Sequence, residues 1–315
     1  MTKRKRVHAG LFSVSMLLSA VSYGKSGEQQ QPGDAQQKGA TSAAQVLTKS
    51  ALSAVLTDSS LSKLPEFDSL EAIKEFNESE MSNAPKVTLN PKASGFVKAY
   101  LAENRETLQQ VAQRSGSYFS TISNIFRQYE LPEALKYLAV VESKLKHTAT
   151  SRAGAAGLWQ FMPSTARALG LKITGKTDER RQFHKSTLAA AKYLRSLYNI
   201  YGDWLLVLAA YNAGSGNVNK AIKKSGSRNF WELQYHLPAE TRAHVKRYIG
   251  VHYYFEQEGG LTTLTSEEWK AHQQAMTSFL QDRQEERVEL KRLIDVEDPS
   301  TQPRIPEVVM NSTRK

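Results

Sequence analysis

Glu142 is the residue whose type and position most invite chemistry. It lies four residues after Leu138 and three before Leu145, on the spacing that also joins Leu131 and Leu135. A helix through this stretch, opened by Pro132, therefore carries a carboxylate on its apolar stripe. An anion is costly to bury there. The group must find a partner, lie at the rim, or keep its proton near neutral pH. The last of these is what a general acid needs. A lone intrahelical Glu is also commonly a solvated or ion-paired residue, so its surroundings have to decide.

Those surroundings are unusual. Ser143 follows, then the small, polar stretch Thr148 to Gly157, then Trp159-Gln160-Phe161-Met162. Small residues let a polymer approach the backbone closely. Aromatic, thioether and amide side chains suit the gripping of sugar rings. A second group is Tyr211-Asn212, at the end of the apolar run WLLVLAAYN. It places a phenol and an amide where a cleft could open. It reads as well, on spacing alone, as a core tyrosine with a satisfied hydroxyl and an Asn in a C-terminal turn. Asp178-Glu179 beside Arg180-Arg181 offers two further acids. With an Arg so close to each, the group reads first as an ion-pair cluster that pins a long connection. The histidines His147, His184, His236, His244 and His252 lack metal-ligand spacing, so no metal or cofactor is expected.

The elements that must position these residues are helical. Phe96 to Val111 reads as one amphipathic helix, broken around Gly116, and Tyr118 to Tyr129 as a second. Pro163 opens a helix running to Leu169 and closed by Gly170. Ser186 caps one through Ile200, Asp203 caps WLLVLAAYN, and Gly214 ends it. Short helices follow at Val218 to Lys223 and Phe230 to Gln234, then a longer one from Pro238 to Glu256. Ser266 to Ile294 reads as a highly charged helix, and the chain from Asp295 as Pro-rich and loose. No alternating strand pattern of useful length occurs, so the fold class is all-α, with a compact unit at residues 96–258 and a charged helical tail at 259–315.

The ends and the composition bound the partners. Lys3 to Arg6 is a basic run before the short apolar stretch Ala9 to Tyr23, and small residues follow it. This predicts a cleaved secretory signal over residues 1–24, not a stable membrane anchor. Residues 25–95 read as a disordered, weakly helical leader rich in Gln, Ser, Ala, Gly and Lys. The net charge is +11, and removing residues 1–24 leaves +7. Scattered basic charge suits an anionic wall, while the lack of a basic stripe with interleaved aromatics argues against nucleic acid. There is no cysteine, which excludes disulfides, thiol catalysis and Cys-ligated metals.

The runs ES…ATS.AGAAGLWQFMPSTA, DERR, GDWLLVLAAYNAGSGNV, FWEL and LPAETRAHV together resemble the lytic transglycosylases of glycoside hydrolase family 23, closest to the membrane-bound type D subgroup. The resemblance covers roughly residues 96–256. It implies a lysozyme-like (goose-type) helical domain acting on peptidoglycan in the periplasm, without a cofactor. It implies Glu142 as the single catalytic acid/base, and Ser151, Gly157, Gln160, Met162, Tyr211 and Asn212 as residues of the substrate cleft. The family's ETR-x-Tyr-Val motif reads Glu240-Thr241-Arg242-Ala243-His244-Val245 here, so His244 stands at a tyrosine that would contact the reacting sugar. The LysM repeats and lipidated N-terminus frequent in the subgroup are not found in this chain. Two alternatives stay open: a muramidase of the same fold that uses water, and a non-catalytic peptidoglycan-binding scaffold. The helix from Ser266 to Ile294 reads first as a solvated charged face, and second as a docking surface for a cell-wall protein.

Overall fold

The computed structural model describes residues 81–297. The expected signal segment, residues 25–80 of the expected leader and the end from 298 lie outside the described residues. The chain divides into a unit ending at Ala84, of which only residues 81–84 are described, the first three as a 3-10 turn, and a unit beginning at Pro85. The second unit is all-α. Its extended pairing, among the described residues, is limited to three isolated bridges.

Helix α1 (Pro91–Glu103) starts before residue 96, because Pro91 takes the first helical position and the Asn90 side chain accepts from the Lys92 N–H. The single helix expected over 96–111 is two. At Asn104 the backbone leaves helical geometry, and its N–H and side-chain amide both donate to the Tyr100 carbonyl. That local bond competes with continuation of the helix. Helix α2 (Arg105–Arg114) follows, and α3 (Gly116–Gln128) begins at the expected breaker, with Ser115 as the joint.

The stretch around Glu142 is also shorter than its apolar spacing suggests. Glu133–Lys136 forms a 3-10 turn, and helix α4 spans only Tyr137–Ser143. Lys144 and Leu145 both adopt positive φ, at 53° and 60°, which ends the helix. Leu131, Leu135, Leu138 and Leu145 are all buried as the pattern implied, but Leu145 reaches the core from beyond the helix end. A loop then leads to the short helix α5 (Pro163–Ala168), followed by Gly170 at φ 83°.

Helix α6 (Phe183–Tyr201) begins one turn before Ser186, capped by no side chain. Helix α7 (Trp204–Ala213) is the centre of the unit. Asp203 caps it by accepting from Leu206 N–H at 3.1 Å, and every residue from Trp204 to Ala210 is buried. It packs against α6, α8 (Ser215–Ser225) and α10 (Ala239–Glu256). Helix α9 (Phe230–Leu233) and a 3-10 turn at Gln234–His236 lie between the last two. An apolar all-round helix must be surrounded in this way.

The segment after residue 258 is built into the same unit. Thr262, Thr263, Leu264 and Thr265 are buried, and the Tyr248 hydroxyl donates to Thr262 Oγ1 at 2.8 Å. Asp203 Oδ2 accepts from Ser266 N–H at 2.7 Å, so one carboxylate caps α7 with one oxygen and the start of α11 (Ser266–Glu297) with the other. Glu268 accepts from the Trp231 indole and from the Asn90 amide. No described helix is long and apolar enough to cross a membrane.

Candidate active site

Glu142 sits in the last turn of α4, and the αL pair that follows turns the chain sharply away from it. Its side chain is 14% exposed, at the rim of the core. Oε1 lies 2.8 Å from His244 Nε2 on α10, a residue 102 positions away in sequence. The His244 side chain is 4% exposed, and its Nδ1 is buried without a hydrogen-bond partner. Oε2 of Glu142 has no protein partner among the described residues. Of the ways to place a carboxylate on an apolar stripe, the protein combines two: a partner for one oxygen and a rim position for the other.

Helix α7 supplies the other wall. The Tyr211 hydroxyl donates to the Trp159 carbonyl at 2.7 Å, and Asn212 Oδ1 accepts from the Thr241 hydroxyl at 2.9 Å. The Tyr211 hydroxyl and the Asn212 carbonyl oxygen are thus both satisfied by the protein itself. Burial pushes the Tyr211 phenol well above its ordinary range, and the negative charge of Glu142 and the Tyr193 ring add to the shift. Tyr211 thus stays a neutral donor. Because Thr241 precedes His244 by one turn on α10, its bond to Asn212 fixes the register in which His244 faces Glu142.

The loop from Lys144 to Met162 is folded by its own backbone and by two arginines. Ser143, next to Glu142, is buried and donates to the Leu158 carbonyl at 2.8 Å, tying helix α4 to the loop. Arg180 Nη1 donates to the carbonyls of Gly154 and Phe161, while Nε and Nη2 grip Asp178. Arg181 donates to the carbonyls of Thr148 and Ala149 and to Thr150 Oγ1. The Arg180 guanidinium holds the Asp178 carboxyl below its usual range. Glu179 is lowered too, by the Lys172 N–H first and the Lys185 ammonium next. The acids of this run are thus the ion-pair brace that the sequence suggested. What they brace is the loop beside Glu142.

The expected cleft residues divide into two sets. Ser151 is exposed, with its Oγ accepting from the Ala155 N–H at 3.0 Å. Met162 is 40% exposed at the start of α5, an apolar side chain offered to solvent beside the loop. Gln160 and Gly157 face the protein itself. Gln160, at φ 48°, uses its amide to hold the Gly157 carbonyl at 2.7 Å. Gly157, at φ 84°, lies so close to the Arg180 carbonyl that a Cβ would stand 1.9 Å from that oxygen. On the side where a Cβ would stand, the close backbone approach is one of the chain to itself. Trp159 is fully buried, with its indole donating to Thr187 Oγ1 at 3.1 Å, so it supports the loop from beneath.

Sequence reasoning missed the contact between Glu142 and His244, the bond from Ser143 and the loop-bracing direction of Arg180 and Arg181. The first joins residues too far apart for any local pattern. The last had a signal, the Arg pair, but no indication of which backbone it holds. Two other buried carboxylates, Glu179 and Asp203, are fully used in structural bonds. Among the described residues no group of three or more His, Cys, Asp or Glu side chains is placed to hold a metal.

Residues 121–234 match the family model described as the Transglycosylase SLT domain. The membrane-bound lytic murein transglycosylase D of Escherichia coli K12 is 40% identical over 153 residues, covering 47% of this chain and 33% of that protein. The peptidoglycan transglycosylase gp16 of Escherichia phage T7 is 40% identical over 88 residues, 27% of this chain and 7% of that protein. Among solved structures, the 70 kDa soluble lytic transglycosylase of Escherichia coli aligns with a TM-score of 0.40 at 23% identity, covering 63% of this chain and 35% of that one. This chain spans about a third of the length of the transglycosylase D that it matches.

Proposed function

We propose that this protein is a peptidoglycan lytic transglycosylase of the lysozyme-like type. The observation that carries the reading is the setting of Glu142: one carboxyl oxygen held by His244 and the other open at the rim, with no second carboxylate bonded to either residue among the described residues. A hydrolase that works through two carboxyl groups needs a second acid within several ångströms. A transglycosylase needs one. Protonated Glu142 gives its proton to the glycosidic oxygen between N-acetylmuramic acid and N-acetylglucosamine, and the C1–O bond breaks. The N-acetyl carbonyl of the substrate stabilises C1. The Glu142 carboxylate then takes the proton of the C6 hydroxyl, whose oxygen bonds to C1. The product is a 1,6-anhydromuramoyl end, Glu142 is again an acid, and no water is consumed.

Around this centre Ser151 and Met162 are open to the sugar strand, while Tyr211, Asn212, Gly157 and Gln160 hold the walls. The protein acts in the periplasm, reached through the segment 1–24, and its substrate is the glycan strand. Any contact of the helix from Ser266 with a cell-wall protein is secondary to this. Mass spectrometry of digested sacculi tests the reading. Anhydromuramoyl ends are expected. Reducing ends alone would make the protein a water-using muramidase, and no cleavage at all would make it a binding scaffold.

A further inference from the structure

His244 occupies the position of a tyrosine that would touch the sugar, but its ring is turned to Glu142 and nearly closed to solvent. The two ring nitrogens have very different surroundings. Nε2 faces a carboxylate oxygen, and Nδ1 is buried with no partner. Any form of the ring that carries a proton on Nδ1 strands an N–H in the interior, at the full cost of desolvating it. A bare Nδ1 is without a partner as well, so what decides the tautomer is Nε2: only with a proton there does the ring bond the carboxylate oxygen it faces, and without it two acceptors would oppose each other.

We propose that His244 is a positioning residue locked in the Nε2–H tautomer, a one-way donor to Glu142 Oε1 that reserves Oε2 for every proton exchange with the substrate. The inference rests on the transglycosylase reading for its catalytic consequence. With the proton on Oε2, Oε1 is a carbonyl-type oxygen that accepts from His244. After Oε2 has given its proton away, Oε1 carries part of the negative charge and the same N–H stabilises it. Both stages are served without movement of the ring, which is the arrangement electrostatic preorganisation requires. A tyrosine hydroxyl in this place could also rotate to accept a proton from Glu142. The imidazole cannot, because accepting at Nε2 would force its own proton onto the partnerless Nδ1. The ring is held in register by the Thr241 bond to Asn212 one turn earlier and by the packing of α10 on α4 and α7.

Two readouts test this on the full chain. Long-range proton–nitrogen spectra of the 15N-labelled protein should show His244 with a protonated Nε2 and a bare Nδ1. A protonated Nδ1 overturns the proposal. In kinetics on peptidoglycan, His244→Ala should lower kcat about 10- to 100-fold, the loss expected of a hydrogen bond to a charged group, with KM changed by less than about 3-fold. His244→Gln, which can offer an amide N–H at similar reach, should recover a large part of that loss. A rise in KM with kcat intact would make the ring a sugar contact and refute the positioning role. So would equal losses in Ala and Gln variants of matched thermal stability. Inactivity of the wild type alongside the Nε2–H signature sinks the functional reading alone. An active enzyme with a protonated Nδ1 sinks the tautomer alone.

Discussion

Replacing Gly157 by Ala separates a backbone-conformation effect from a packing effect, because Gly154 provides a matched control. Gly154 and Gly157 have nearly the same φ, 88° and 84°. A side chain in this left-handed region costs about 1–2 kcal/mol. At Gly154 a Cβ would meet nothing within 4 Å, so Gly154→Ala should lose only that amount. At Gly157 the Cβ would sit 1.9 Å from the Arg180 carbonyl oxygen and 2.6 Å from its carbon, both of them backbone. Relief requires the loop and the 179–181 turn to separate by about 1 Å. Arg180 cannot follow both sides, since its guanidinium bonds Gly154 and Phe161 on the loop and Asp178 on its own turn. Losing even one such charge-assisted bond costs about 1.5–3 kcal/mol. Gly157→Ala should therefore destabilise by about 2.5–5 kcal/mol in total, from the sum of strain and the lost bond. Urea unfolding of the two variants beside wild type, followed by helical circular dichroism, measures the difference. Equal losses, or a loss under about 1 kcal/mol at Gly157, would refute the claim that the loop rests directly on the Arg180 backbone.

Further outcomes follow from the same structure. Burial depresses the His252 ring to about 4 from its ordinary 6.5, with the nearby Glu256 charge opposing the shift. The unfolded chain then binds the extra proton between those values, so stability falls as pH drops from 6.5 to about 4, by about 3 kcal/mol. His252→Gln should flatten this limb in pH-dependent unfolding, and an unchanged slope would contradict the assignment. Asp203→Ala removes the cap of α7 and strands the Ser266 N–H, an expected loss of about 2–4 kcal/mol by denaturant titration. Asp203→Asn, which keeps one acceptor oxygen, should lose less than the Ala variant.

Much of this fold can be read from local chemistry. Asp203 and Gly214 delimit α7, and Pro163 and Gly170 delimit α5, because caps and breakers act on their immediate neighbours. The leucines before and after Glu142 are buried as their spacing implies. The helix they were assigned to is less legible. Burial at Leu145 is delivered by two positive-φ residues after a helix of only two turns, and periodicity cannot distinguish that from a longer helix. Asn104 hides a helix break inside an amphipathic pattern, since its side chain competes for a carbonyl without altering the apolar stripe. The candidate site divides in the same way. Glu142 stands out in the sequence as a misplaced charge. Its bond to His244 depends on the register of α10 against α4, set by contacts such as Thr241 to Asn212 that no short pattern encodes. Gly157 shows a requirement that no short pattern encodes: its missing side chain is demanded by the Arg180 backbone packed against it.

The central claim is that Glu142 alone performs both proton steps. Its most direct test is the chemical nature of the glycan ends released from purified sacculi by the wild type and by Glu142→Gln at matched folded concentration. The account predicts 1,6-anhydromuramoyl ends from the wild type and a fall of at least about 1000-fold for the variant, since one group serves as both acid and base. Anhydro ends released at an undiminished rate by Glu142→Gln would contradict it.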